Sequence, residues 1–321
     1  MRVIVTGGTG HIGTYLVPRL VEAGYEVICI TRGLQQPYLA NKAWKKVEHI
    51  QADRDAEDQS GKFAQHILAL KPDVMIDLIC YTASSGRLLV EALRDRIQHI
   101  LHCGTIWVHG PSVVVPTNEE QPRRPFGSYG IQKAELEACL LEEARLSGFP
   151  VTILHPGHIV GQGWWPLNPV GNFNPQVFYQ LARGEEVCLP NLGMETVHHV
   201  HADDVAQAFM QALANRSVSL GECFHIVSPA AITLRGFAEA VSEWFGHTPK
   251  LRFLPWQEWR GTVSAADAEF TWDHIAHSPN SSIAKAQRLL AYQPRYSSLQ
   301  AIYESLVYLI EHGQFIQPAL K

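Results

Sequence analysis

Arg2-Val3-Ile4-Val5-Thr6-Gly7-Gly8-Thr9-Gly10-His11-Ile12-Gly13 opens the chain with an apolar run, a glycine turn and the start of a helix. An unbroken Val/Ile run of this kind reads as a strand covered on both faces. The helix after it is expected to end at Gly24. Gly7 permits the tight turn, Gly10 lets backbone N–H groups approach a pyrophosphate at the helix start, and Gly13 lets the helix lie close on the sheet. Thr9, His11 and Ile12 flank that contact and join the three glycines as candidate cofactor-binding residues. A plain glycine-rich connection is the competing reading, and the strand–turn–helix context weighs against it. Pro18, inside the helix, removes one backbone bond and is expected to bend the axis.

The next strand, Glu26 to Thr31, ends where a dinucleotide-binding fold tells NAD from NADP. An acidic side chain there would bind the two ribose hydroxyls of NAD, whereas this chain has Thr31-Arg32-Gly33. Arg32 suits a 2′-phosphate, so NADP is the expected cofactor and NAD the alternative. Strand three, Val47 to Gln51, is followed by Asp53, whose carboxylate suits the adenine amino group or a solvated turn. Strand four, Asp73 to Cys80, and strand five, Gln98 to Cys103, alternate with helical stretches. Strands alternating with helices predict an α/β fold, a doubly wound parallel sheet of Rossmann type.

With 321 residues, 46% of them hydrophobic, the chain is long enough for a full core and two lobes in close contact. Its formal charge of -5 argues against nucleic-acid or anionic-membrane binding and favours a small-molecule partner. Cys29, Cys80, Cys103, Cys139, Cys188 and Cys223 form no Cys-x-x-Cys pair and read as reduced thiols. The first strand begins at Arg2 and no apolar stretch reaches spanning length, so a cytoplasmic protein is expected.

Tyr129-Gly130-Ile131-Gln132-Lys133 places a phenol and an ammonium one helical turn apart. A phenol titrates near pH 10 and serves as acid or base at neutral pH only if nearby positive charge lowers that value. Lys133 is read as that charge. Tyr38 and Lys42 have the same spacing but sit in a loop after the second strand, where nothing orders them as a helix. Tyr129 instead opens the helical run Ile131 to Ser147, with Leu136, Leu140 and Leu141 at helical spacing.

The Gly7/Gly10/Gly13 turn, a hydroxyl residue after strand five and the Tyr129/Lys133 pair together resemble the extended short-chain dehydrogenase/reductase superfamily, in its NAD(P)-dependent epimerase/dehydratase group. The match spans nearly the whole chain. It implies a catalytic triad in which Thr105, five residues before Gly110, polarises a carbonyl or hydroxyl, Tyr129 exchanges its proton and Lys133 lowers the Tyr pKa. Lys133 would also hold the nicotinamide ribose, and Pro156-Gly157-His158 would carry the chain over the cofactor edge. Relatives that eliminate water or carbon dioxide place acidic residues just after the Thr, where this chain has Ile106 and Trp107, which disfavours dehydratase or decarboxylase chemistry.

The resemblance divides the chain into a dinucleotide-binding part, 1–156, and a smaller interleaved substrate lobe, 157–321. Candidate substrate-binding residues are Trp107 as a flat wall, His158 as a binding or proton-shuttling group, and Trp164, Trp165 and Asn168 in an aromatic, Asn-rich loop. His158 would titrate near pH 6–7. His199 and His201 project to one face of a strand and His198 to the other, so no metal is expected from that stretch. Asp203 or Asp204 is expected to cap the next helix. Val197 stands where nucleotide-sugar relatives carry a diphosphate-gripping Arg, which puts a nucleotide-sugar substrate in doubt. The carboxy-terminal half is also similar to the branch containing chloroplast stem-loop RNA-binding proteins. Three functions follow: an epimerase of a carbohydrate-like substrate, a net NADP-dependent reductase or dehydrogenase, or a non-catalytic dinucleotide-binding or RNA-associated protein. A homodimer is compatible with each.

Overall fold

The computed structural model describes residues 1–316, so residues 317–321 of the expected carboxy-terminal lobe lie outside the described residues. Six strands enter the central sheet from the first half: β1 (Arg2–Thr6), β2 (Glu26–Thr31), β3 (Glu48–Gln51), β4 (Val74–Asp77), β5 (His99–Cys103) and β6 (Val151–Pro156). A seventh, Cys223–Ile226, comes from the carboxy-terminal half and pairs with β6. The order is Cys223–Ile226, β6, β5, β4, β1, β2, β3, and every neighbouring pair is parallel. The chain winds outward from β1 to β3 and then crosses back to β4 on the other side of β1. This is the doubly wound α/β Rossmann arrangement, and the reversal opens a crevice beyond the carboxy ends of β1 and β4.

Helices cover both faces, so β4, β5 and β6 are buried at every residue and read as apolar runs. On one face the helix His11–Glu22 packs against Ala202–Ala214; on the other, Ala83–Leu93 packs against Gly127–Ser147. Val5, Leu16 and Phe209 belong to the first core, and Ile4, Met75 and Leu136 to the second. A third core, with Phe178, Phe237 and Trp259, builds the carboxy-terminal lobe around two short parallel pairs. Gly13 seats the first helix: a Cβ there would strike the Gly8 backbone. The helix runs unbroken through the buried Pro18 and ends at Glu22, with Gly24 turning the chain at φ +85°.

Several boundaries differ from the sequence reading. β4 stops at Asp77, not Cys80, because that carboxylate accepts the Ile79 N–H at 3.3 Å and the Thr6 hydroxyl at 2.7 Å, bending the chain out of the sheet. The helix carrying Tyr129 starts at Gly127, four residues earlier than Ile131. His201, not Asp203 or Asp204, caps Ala202–Ala214, its Nδ1 accepting the Asp203 N–H at 3.1 Å. The two carboxylates are engaged elsewhere: Asp203 pairs with Arg19 and Arg295, and Asp204 accepts the N–H groups of Arg295 and Tyr296. All six cysteines are free thiols. Among the described residues, no helix is long and apolar enough to cross a membrane.

Candidate active site

The crevice begins at the glycine turn. Gly7 adopts φ +75°, and Gly10 precedes the helix with no side-chain cap and no acidic residue in its first turn. The helix N-terminus therefore keeps its partial positive charge and donor groups for an anion. A Cβ built at Gly10 would approach only the Gly7 carbonyl, at 3.3 Å, so glycine keeps open space in front of the turn. A cavity of about 270 Å³ continues from here past Thr9, Arg32 and Asp53. Arg32 is exposed at its mouth, its carbonyl accepting from the Gln51 amide at 3.0 Å. Arg54 also lines this cavity, but it is buried and paired with Asp77 at 2.5 Å and Asp58 at 3.2 Å. Of the two guanidiniums lining this cavity, Arg32 is the exposed one. Asp53 reaches the cavity while capping the helix Arg54–Gln59 through the Ala56 N–H at 3.3 Å.

A larger cavity, about 680 Å³, holds Gly7, Gly10, His11 and Ile12 on one side and Thr105, Tyr129, Lys133 and Pro156 on the other. Lys133 is buried, its ammonium donating to the carbonyls of Cys80 and Cys103 at 2.7 Å each and lying 4.8 Å from the Tyr81 ring centroid. Burial lowers its pKa. Thr105 ends the extended segment after β5, and its hydroxyl accepts the Trp107 N–H at 3.3 Å. Tyr129 behaves differently from the sequence expectation. Although the residue as a whole is 41% exposed, desolvation of its hydroxyl pushes the phenol above the ordinary value, and a side-chain hydrogen bond with Thr105 works the other way. The reason is desolvation of the phenolate, while the Lys133 charge is taken up by two backbone carbonyls.

Aromatic rings wall the far side. Trp107 stacks on His277 with centroids 4.2 Å apart and meets Tyr129 edge-on at 6.0 Å. Trp164 packs against His11 at 3.6 Å, and Tyr38, the discarded Tyr-x-x-x-Lys tyrosine, stacks on the same His11 at 4.9 Å. His11 is held near a pKa of about 4 by burial, so it presents a neutral ring. His158 lines the cavity among His199, His274 and Phe173, and burial with those neighbours pushes it well below its ordinary value. Contrary to the sequence expectation, the ring is therefore held neutral near pH 7. Trp165 reaches the cavity while also packing on Phe178 and Phe315. Asn168 does not reach it: fully buried, its amide bonds Asn172 and the Asn174 carbonyl, and its oxygen accepts the Val170 N–H. It orders the loop from inside.

Sequence reasoning missed Tyr81, Phe270, Asp273 and His274, and took in Phe173 only as part of the aromatic, Asn-rich loop; all five line the same cavity. Tyr81 was findable, since it follows β4 at the ligand-bearing edge of the sheet. The others come from the loop before Gln176–Ala182 and the helix Ala265–His277, which only the folded lobe brings here. His198 and His201 have structural partners, in Ser228, Ser281 and Glu304.

The model of the NAD dependent epimerase/dehydratase family matches residues 3–226. Over 98% of its length the chain is 26% identical to a chloroplast stem-loop binding protein of 41 kDa from Arabidopsis thaliana, covering 80% of that protein. It is 25% identical to the 2'-dehydrokanamycin reductase of Streptomyces kanamyceticus, covering 86% of this chain and 76% of that one. The fold superposes on the UDP-glucose 4-epimerase of Thermotoga maritima with a TM-score of 0.74 at 21% identity, covering 97% of this chain and 99% of the other. The matched segment takes in the glycine turn, the Thr-Tyr-Lys cluster and all seven strands of the sheet, and the chain belongs to the NAD-dependent epimerase/dehydratase family.

Proposed function

We propose that the protein transfers a hydride at a secondary alcohol carbon of an uncharged, ring-bearing, carbohydrate-like substrate, using NADP, and acts as an epimerase through a transient ketone. The observation that carries this reading is one cavity holding the glycine turn and Thr105, Tyr129 and Lys133, with Lys133 the only Lys or Arg among its lining residues. Gly7, Gly10 and the N–H groups from His11 to Gly13 would hold the pyrophosphate, and Arg32 a 2′-phosphate. The nicotinamide supplies or takes up the hydride when bound. Thr105 orients the substrate oxygen, Tyr129 exchanges its proton, and Lys133, one turn on, holds the adjoining ribose. Trp107, Trp164 and Phe173 give a ring flat apolar surfaces, and neutral His158 and His274 offer hydrogen bonds without charge. Among the described residues Lys133 is the one Lys or Arg lining this cavity, and Val197 is buried and apolar, so a diphosphate would meet no second cation there.

Net reduction is the second reading, and exposed Arg32 favours it, because a reductase releases its NADP each turnover. Likeness to a 2'-dehydrokanamycin reductase supports it too. The triad and the formal charge of -5 weigh against an RNA-associated protein without turnover. The test incubates purified protein and NADP, oxidised or reduced, with uncharged cyclic sugars, cyclic ketones and UDP-sugars. Epimerase activity yields an epimer without net cofactor change; reductase activity consumes reduced cofactor with the product. Turnover of UDP-sugars alone would overturn the uncharged-substrate reading.

A further inference from the structure

Directly behind Thr105, three histidines from distant parts of the chain converge. His109 ends the short turn Ile106–His109, His155 lies in β6, and His225 is its register partner on the neighbouring strand. All three are buried, and one ring nitrogen of each lies within 4.8 Å of the others. His109 Nε2 faces His225 Nε2 at 2.9 Å. His155 Nε2 lies 2.5 Å from Glu137 Oε2, and Arg123 donates to the other oxygen of Glu137 at 2.9 Å.

These contacts use one nitrogen of each ring. Nδ1 of His109, His155 and His225 has no hydrogen-bond partner among the described residues, although buried polar atoms are nearly always satisfied. The carbonyls of Pro122 and Ser282 lie beside the His109 and His225 rings. Each ring thus has an oxygen acceptor beside it, which leaves a second nitrogen lone pair on each ring. Two ring nitrogens 2.9 Å apart cannot both present bare lone pairs: either one carries a hydrogen and donates to the other, or both meet a cation. The charges nearby favour the cation. Glu137 and Glu119 are both buried, Glu119 accepting the His225 N–H at 2.8 Å, and Arg123 offsets one of them.

We propose that His109, His155 and His225 bind a divalent transition-metal ion, zinc by the donor set, as a structural staple behind the catalytic segment. A tetrahedral site with Zn–N of about 2.0–2.1 Å sets ring nitrogens about 3.3 Å apart, longer than the 2.9 Å between His109 and His225 and inside the 4.8 Å that encloses all three. His155, backed by the Glu137 carboxylate, has the second partner that fixes a ligating tautomer and leaves Nδ1 to the metal. Glu137 stands two turns past Tyr129 and one past Lys133 on the same helix, so the staple ties that helix, β6, the neighbouring strand and the turn after Thr105 together. None of the three histidines lines the cofactor or substrate cavity, so the ion has no contact with substrate.

The test expresses the full chain in zinc-supplemented medium, strips loosely held metal on a chelating resin and measures metal by mass spectrometry. Stoichiometric zinc is expected in the unmodified protein and in His247→Gln, and its loss in the double variant His109→Gln/His225→Gln. Independently, Co(II) added to chelator-treated unmodified protein should give the intense visible bands of a tetrahedral site, abolished by zinc. Folded protein with neither stoichiometric metal nor those bands overturns the proposal, as does a folded double variant that keeps its zinc. If the double variant does not fold, the Co(II) spectrum of the unmodified protein decides.

Discussion

Tyr129 and its neighbours bring the residue-scale chemistry down to a proton. Removing the phenolic oxygen with Tyr129→Phe should lower turnover by roughly 10²–10⁴-fold, the range for a lost acid–base group, while a nicotinamide fluorescence titration shows cofactor affinity unchanged. Tyr38→Phe keeps the ring stacked on His11 and should leave turnover near that of the unmodified protein; an equal loss from both variants would move the acid–base role away from Tyr129. Burial of His158, next to His199 and His274, gives a further expectation. Its pKa lies well below the usual histidine range, so the ring stays neutral across neutral pH and the pH–rate profile has no limb from it near pH 6–7. His158→Asn should change KM for the substrate and leave the shape of that profile alone. A limb that disappears in His158→Asn would show the ring titrating during turnover.

Among the elements, the carboxy end of β4 carries a buried ion pair. Asp77 is buried with Thr6 and Arg54, and although burial works against its charge, the adjacent Arg54 guanidinium holds its pKa below the ordinary carboxylate value. A depressed folded-state pKa stabilises above the unfolded value, about 3.9 for Asp, and that stability is lost as the pH falls through the folded value. Asp77→Asn leaves Arg54 with Asp58 alone and should cost about 3–5 kcal/mol at neutral pH, as broken buried pairs do. Urea unfolding at neutral and acid pH checks this: the gap between variant and unmodified protein should narrow in acid. A constant gap would mean that the pair contributes through packing rather than charge.

Across the whole molecule, cofactor binding couples to stability. The cavity between the glycine turn and Lys133 is lined by both halves, and we propose that the division near residue 156 separates cofactor binding from substrate binding, with Cys223–Ile226 crossing back into the first sheet. NADP at 100-fold its Kd should stabilise the fold by roughly 2.7 kcal/mol, seen as a rise in Tm, and NAD at the same concentration by less. Arg32→Asp should reverse that order, because the phosphate contact contributes on the order of 1.5–3 kcal/mol. A larger Tm rise with NAD on the unmodified protein would remove Arg32 from the 2′-phosphate. The sequence by itself determined the doubly wound sheet, the glycine turn and the Tyr129–Lys133 face, because each is written in local periodicity: apolar strands, φ-permissive glycines and a one-turn spacing on a helix. Only the tertiary structure decided the buried fate of Asn168, the raised phenol of Tyr129, and the meeting of Phe173 with Phe270 and of His109 with His155 and His225. Those outcomes depend on desolvation and on contacts between segments far apart in the chain, and neither leaves a periodic trace in a linear sequence.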